Sequence, residues 1–198
     1  THTADGGLTS LRANPLKGTP EALCEKLLAS GAKTAAPGLV PGSVLARFEG
    51  SPAESGLFRD GYFHVEGQAS QLAALCVEAK PGDTVLDLCA APGGKSFALA
   101  MDMADGGDIL SCDIHPHKLK LIESGAQRLG LRSIRTALAD GREEHAAWLD
   151  QADLVVADVP CSGLGIIRKK PDIRYKKPAE LAQLPPIQKA ILDNVCRY

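Results

Sequence analysis

Thr84-Val85-Leu86-Asp87-Leu88-Cys89-Ala90-Ala91-Pro92-Gly93-Gly94-Lys95-Ser96 is the stretch that decides the fold. Val85, Leu86 and Leu88 form a short apolar run, as a buried strand does, and Asp87 interrupts it near its end. The run breaks at Pro92-Gly93-Gly94, and a helical pattern follows from Lys95. A buried strand, a glycine turn and a helix start are the parts of a nucleotide-type site. Glycine lets backbone approach a ligand where a Cβ would clash. The first amides of the following helix point at an anionic group.

A tight strand-to-helix turn without a ligand would use the same residues, so the spacing beyond it matters. Asp113 stands 20 residues after Gly93 and closes a second apolar run, Ile109-Leu110-Ser111-Cys112. An acid at about that distance (roughly 20 residues) is where a ribose hydroxyl pair is held. The turn reads A-A-P-G-G-K rather than G-x-G-x-x-G, which disfavours a dinucleotide. S-adenosyl-L-methionine carries a ribose and a carboxylate but no pyrophosphate, and it suits this turn better.

Outward from this stretch, strands and helices alternate. Lys95–Ala104 reads as a helix, Asp108–Cys112 as a strand and Pro116–Leu129 as a helix. Ile134–Ala139 reads as a strand, Glu143–Leu149 as a short helix and Asp153–Asp158 as a strand. Such alternation predicts right-handed crossovers and a parallel, doubly wound α/β sheet. Asp87, Asp113, Asp140 and Asp158 each fall at or near a strand's carboxyl end, where such sheets bind ligands. A single acid there is usually a helix cap; four in succession point to a site.

Upstream, residues 1–10 read as a frayed end, and Leu11–Pro15 as a short strand. Thr19-Pro20 reads as an N-cap followed by proline at the first helical position, opening a helix that stops near Gly31. Ser43–Phe48 and Gly61–Val65 are further short strands in a Gly-, Pro- and Ser-rich region. Gln68–Ala79 reads as a helix with Leu72, Leu75, Cys76 and Ala79 on one face. The expected organisation is a small α+β segment over residues 1–67 and a Rossmann-like domain over 68–198. Ala179–Tyr198 reads as a helix. Only four Rossmann-type strands precede it, so the sheet is expected to be incomplete at its C-terminal end.

The composition is that of a soluble globular chain: 44% hydrophobic and 23% charged residues over 198. No apolar run is long enough to span a membrane, and no signal peptide is visible. The net charge of −2 excludes a uniformly basic nucleic-acid binder but not a local basic patch. Six cysteines without a C-x-x-C pair argue against zinc. They fit a reducing cytoplasm, with most of them buried as small apolar residues.

After the fourth strand comes Asp158-Val159-Pro160-Cys161-Ser162-Gly163, which sets a thiol at the cleft mouth as a candidate nucleophile or acid/base group. Then comes Arg168-Lys169-Lys170-Pro171-Asp172-Ile173-Arg174-Tyr175-Lys176-Lys177. Charge runs are usually solvated faces. Beside a cleft, and carrying Tyr175, this one fits phosphate contacts with base stacking.

Together L-C-A-A-P-G-G-K, D-V-P-C-S-G-L-G and R-K-K-P-D-I-R-Y resemble the Sun/RsmB-type RNA cytosine-carbon-5 methyltransferases, over nearly the whole chain. The bacterial 16S ribosomal RNA branch is nearest. The resemblance implies a small N-terminal RNA-binding segment before the catalytic domain, and RNA, 16S ribosomal RNA in particular, as partner. It implies that Ala91, Pro92, Gly93, Gly94 and Lys95 hold the methionine end of S-adenosyl-L-methionine, with Cys89 and Ala90 part of the same loop. Asp113 would bind the ribose, and Asp140 would lie by the adenine. Asp158, beside the cofactor, would contact the target base at its ring nitrogen and amino group. Cys161 would help resolve the methylated adduct, while a second cysteine, in a Thr-Cys motif, attacks carbon 6. Arg168, Lys169, Lys170, Arg174 and Tyr175 are the candidate RNA contacts. No metal and no membrane are expected.

Two departures stand out. No Thr-Cys pair occurs in residues 1–198, so the chain as given is expected to be inactive. Val65-Glu66-Gly67-Gln68 is a smaller departure, at the place where the family usually has an acid near Gly67. Two other readings of the residues stay open: an amino-group methyltransferase, which uses an Asp/Asn-Pro-Pro-aromatic loop and no thiol, and a non-catalytic RNA-binding scaffold of the same fold. Cys161 argues against the first.

Overall fold

A computed structural model describes residues 7–167 and 170–198. The first part of the chain builds an antiparallel sheet from β1 (Thr9–Ala13), β2 (Thr34–Pro37), β3 (Ser43–Arg47) and β4 (Phe63–Val65), in the order β2-β3-β1-β4. Helix α1 (Pro20–Ala29) packs on it through Leu23 and Leu27, against Leu11, Val44 and Phe63. Its start is as the residues dictate: Thr19 Oγ1 accepts the Ala22 amide at 3.2 Å, with Pro20 at the first helical position. A short helix α2 (Gly56–Arg59) and helix α3 (Gln68–Leu75) flank β4.

The remaining elements are β5 (Thr84–Asp87), α4 (Gly94–Asp102), β6 (Asp108–Asp113), α5 (Pro116–Leu129), β7 (Ile134–Leu138), β8 (Leu154–Val156), α6 (Pro178–Ala182) and α7 (Leu184–Val195). The four strands pair in parallel in the order β7-β6-β5-β8, with Leu86 opposite Leu110 and Val155. Phe97, Leu99 and Met101 of α4 and Ile122 and Leu129 of α5 close one core with Val85 and Ile109. The other sheet face buries Leu86, Leu88, Cys112 and Ala139 under Trp148 and Val195. Helices therefore cover both faces, as a parallel sheet requires. Strand order reverses at β5, and a crevice opens at its carboxyl end.

Buried polar groups tie the two sheets together. Arg12, 4% exposed, pairs with Asp102 of α4 and donates to Pro41 O at 3.1 Å. Asn14 Nδ2 donates to Gly61 O and to Leu129 O, each at 2.8 Å. Arg128 of α5 donates to Phe58 O and Phe63 O and stacks on the Phe58 ring at 3.8 Å.

Several expectations need correction. The frayed end stops sooner, because Thr9 and Ser10 already pair with Ala46 and Leu45; residues 1–6 lie outside the described residues. Strand β2 was not anticipated: its sequence Thr34-Ala35-Ala36-Pro37 carries little strand signal, and pairing with β3 forms it. Helix α3 buries Gln71 and Ala74, while Leu72 is 53% exposed and Cys76 is exposed. The inward position is taken by an amide because Gln71 Nε2 donates to Glu66 O at 2.9 Å. Residues 143–149 form no α-helix, only a 3-10 turn at Ala146–Trp148, with the Trp148 ring 4.2 Å from that of His145 and 6.4 Å from that of Tyr198, both tilted. The C-terminal helix is two helices, since Pro185 and Pro186 tolerate only a first turn. Cysteines other than Cys161 are less buried than expected: Cys24 and Cys112 are buried, Cys89 is half-buried, and Cys76 and Cys196 are exposed; Cys161 is exposed, as its loop implies.

Candidate active site

The crevice at the carboxyl end of β5 is a cleft of about 240 Å³. One wall is the loop Cys89–Pro92 with Gly94 and Lys95; the facing wall is His64–Gly67 with Ser70; Asp87 and Asp158 complete it. The loop leaves the sheet tied on both sides. The Leu88 amide donates to Val156 O at 3.0 Å, and the Ala90 amide to Cys112 O at 2.8 Å. Gly93 turns the chain at φ +107°, and a Cβ there would stand 2.4 Å from Phe97 Cζ, so glycine is required on two counts. Helix α4 then begins at Gly94 with no side-chain cap. Its first-turn amides and the positive end of its dipole are thereby available at the cleft wall.

Asp87 lies fully buried at the end of β5. Its Oδ2 accepts from Ser96 Oγ at 2.8 Å, and Ser96 Oγ accepts from Ser111 Oγ at 2.8 Å. Its Oδ1 has no partner among the described residues. Burial pushes the carboxyl up to about 6, against the pull of the Ser96 hydroxyl and of the nearby Cys89 amide. Across the cleft, Glu66 is 7% exposed; its Oε1 accepts from Ser70 Oγ at 2.8 Å and its Oε2 is unpartnered. Burial raises this carboxyl too. His64 packs edge-on to Phe97, and burial, with the charge of Arg128, lowers its imidazole to about 4. It is therefore neutral at pH 7.

Lys95 Nζ pairs with Asp158 Oδ2 at 2.5 Å, joining the first turn of α4 to the loop after β8. Cys89 sits on the wall, but burial, with Asp87 next, pushes its thiol up to about 11. It stays protonated near neutrality and is a poor nucleophile.

Cys161 lies three residues past Asp158 and is exposed. It stands beyond the cleft wall, on a loop clamped from two sides. Gln188 Nε2 donates to Pro160 O at 2.9 Å, and Lys176 Nζ donates to Ser162 O at 3.0 Å. Asp113 and Asp140 also lie outside the cleft wall, further along the sheet edge past β6 and β7. Asp113, 8% exposed, accepts the His115 amide at 2.8 Å. Asp140 is held by Arg142, whose hydrogen bonds keep the carboxyl below its ordinary range.

Of the basic run, Lys170, Arg174 and Tyr175 are described; Arg168 and Lys169 lie outside the described residues. Pro171–Tyr175 forms a 3-10 turn with Tyr175 71% exposed and the Arg174 guanidinium 4.9 Å from its ring. His64, Glu66 and Ser70 were not among the sequence candidates; the only signal was the displaced acid beside Gly67. Lys176 belongs to the basic run read as phosphate contacts; its bond to Ser162 O, and that of Gln188 to Pro160 O, gave no signal, because a backbone carbonyl as partner leaves no mark in the sequence. No helix among the described residues is long and apolar enough to cross a membrane.

Residues 74–198 match the family described as 16S rRNA methyltransferase RsmB/F. The chain is 38% identical over 188 residues to the probable ribosomal RNA small subunit methyltransferase B of Bacillus subtilis, covering 94% of the chain and 42% of that protein. It is 35% identical over 188 residues to the protein of the same name from Synechocystis, covering 93% and 42%. The chain thus spans less than half the length of these relatives. The crystal structure of PH0851 superposes with a TM-score of 0.91 at 28% identity, over 99% of this chain and 44% of that one. That of NSun6 from Pyrococcus horikoshii with SFG gives 0.85 at 19% identity, over 96% and 72%. At that identity the likeness is one of fold.

Proposed function

The chain belongs to the RsmB/F family of 16S rRNA methyltransferases, and from that premise we propose that it serves S-adenosyl-L-methionine-dependent methylation of cytosine carbon 5 in ribosomal RNA. The observation that carries this reading is the pairing of Lys95 with Asp158 across the glycine-turn cleft, three residues before an exposed Cys161. The cleft fits the methyl donor's amino-acid end: it offers uncapped helix amides at Gly94 and Lys95 and buried acceptors at Asp87 and Glu66. When bound, the donor supplies an electrophilic methyl group. Cys89, Ala90, Ala91, Pro92, Gly93, Gly94 and Lys95 would hold that end. Asp113 would hold the ribose, and Asp140, fixed by Arg142, would lie by the adenine.

Carbon 5 of cytosine is a poor nucleophile. A thiolate added at carbon 6 makes it enamine-like and able to take a methyl group. Asp158 would contact ring nitrogen 3 and the amino group, with Lys95 fixing its orientation. After transfer, a base takes the carbon-5 proton and the thiol leaves carbon 6. Residues 1–198 contain no Thr-Cys pair to supply the attacking thiol; Cys161 is assigned to the release step. The base must be single-stranded or flipped to reach the cleft. Lys170, Arg174 and Tyr175, with Arg168 and Lys169, would meet RNA, as would the N-terminal segment 1–67.

The test is Cys161→Ala in a protein carrying this chain at its relatives' full length, incubated with S-adenosyl-L-methionine and 16S ribosomal RNA and run on a denaturing gel. A methylated, thiol-linked RNA adduct should accumulate. Loss of all adduct, with fold and donor binding intact, would instead make Cys161 the attacking thiol.

A further inference from the structure

Two carboxylates that line the cleft each keep one buried oxygen without a hydrogen bond among the described residues. Asp87 Oδ1 and Glu66 Oε2 are both buried, and neither has a partner among the described residues. They come from different sheets: Asp87 from the end of β5, Glu66 from just after β4. Each is held from behind by a hydroxyl on its other oxygen, Ser96 for Asp87 and Ser70 for Glu66, at 2.8 Å in both cases. The free oxygens are therefore fixed in place. Native chains seldom leave buried acceptors unpaired; such an oxygen is met by a water, an ion or a donor group of a ligand. Lys95, the cationic side chain on the cleft wall, is already committed to Asp158.

An ionised carboxylate only accepts hydrogen bonds, so its missing partner is a donor. Two carboxylates lining one cleft suit a cation with more than one N–H. Glu66 also stands at the start of α4: a Cβ on Gly94 would be 3.5 Å from its Oε1. The uncapped amides of that helix turn favour an anion. A ligand that places an ammonium and a carboxylate on one carbon satisfies both demands. Resting on the cofactor reading above, we infer that Glu66 is a specificity-determining residue that, with Asp87, receives the α-ammonium group of the methyl donor's amino-acid end. Burial raises both carboxyls in the free chain, and a bound ammonium would draw them back toward the charged form.

The test is a binding comparison on the 198-residue chain with two probes. S-adenosylhomocysteine carries the amino-acid end; 5′-methylthioadenosine keeps adenine, ribose and thioether but lacks it. Glu66→Gln, which keeps the shape and removes the charge, should weaken S-adenosylhomocysteine about tenfold or more. It should leave 5′-methylthioadenosine unchanged. Glu66→Asp, which keeps the charge, should bind S-adenosylhomocysteine more tightly than Glu66→Gln does. Equal weakening of both probes, equal weakening by both variants, or no weakening overturns the assignment while the cofactor reading stands. Wild-type chain that is folded and binds neither probe overturns the cofactor reading and this one with it.

Discussion

At the scale of single residues, the cleft is organised by carboxylates that would be more stable elsewhere. Asp87 titrates near 6 rather than 3.8 because burial disfavours its charged form. The native state therefore holds its proton more tightly than the unfolded chain does. Native stability should fall as pH rises from about 4 to about 6, and the penalty persists above that window. Asp87→Asn removes the penalty. The variant should match wild type near pH 3.5 and exceed it at pH 7.5 by up to about 3 kcal/mol, at roughly 1.4 kcal/mol per pH unit. Urea denaturation at the two pH values measures this; a gap that does not grow with pH contradicts it. Stability given up at a ligand-facing acid is the usual exchange of stability for function. Asp87, Asp113, Asp140 and Asp158 were legible because strand ends can be read from apolar runs. Glu66 was not, because its partner wall is brought opposite it only by the packing of the first sheet on α4.

At the scale of elements, α4 and α5 meet through a glycine contact. A Cβ on Gly125 of α5 would stand 2.4 Å from Phe97 Cζ, and Phe97 is 2% exposed. Two effects oppose each other in Gly125→Ala. Alanine gains about 1 kcal/mol of helix propensity. Overpacking a closed core costs about 1–3 kcal/mol. The Phe97 ring also lies against Gly93, where a Cβ would meet the same atom at the same distance, so it has little room to yield. Net destabilisation is expected, read as a lower denaturant midpoint at unchanged slope. A raised midpoint would show that the ring gives way. The alternation of strands and helices from β5 to β8 was readable because each run is bounded by its own turn residues. What escaped was set by long-range partners: β2 by its pairing with β3, the inward Gln71 by the Glu66 carbonyl, and the 3-10 turn at Ala146–Trp148 by Tyr198.

At the scale of the whole molecule, Arg12, Asn14 and Arg128 fasten the antiparallel sheet to the parallel one, so the wall carrying Glu66 is held against the glycine turn. The same fastening sets His64 and the residues just after β4 beside the cleft. The loops after β8 bring the basic turn at Pro171–Tyr175 to the Cys161 loop through Lys176 and Ser162. In the proposed function, the cleft, the Cys161 loop and the basic, tyrosine-bearing turn beside that loop would act as one surface. The most direct measurement is nucleoside analysis of 16S ribosomal RNA after incubation with methyl-labelled S-adenosyl-L-methionine and a protein carrying this chain at its relatives' full length. The label should be recovered as 5-methylcytidine, and Asp158→Asn should abolish it. Label recovered on an exocyclic amino group, or 5-methylcytidine formed undiminished by Asp158→Asn, would contradict the account.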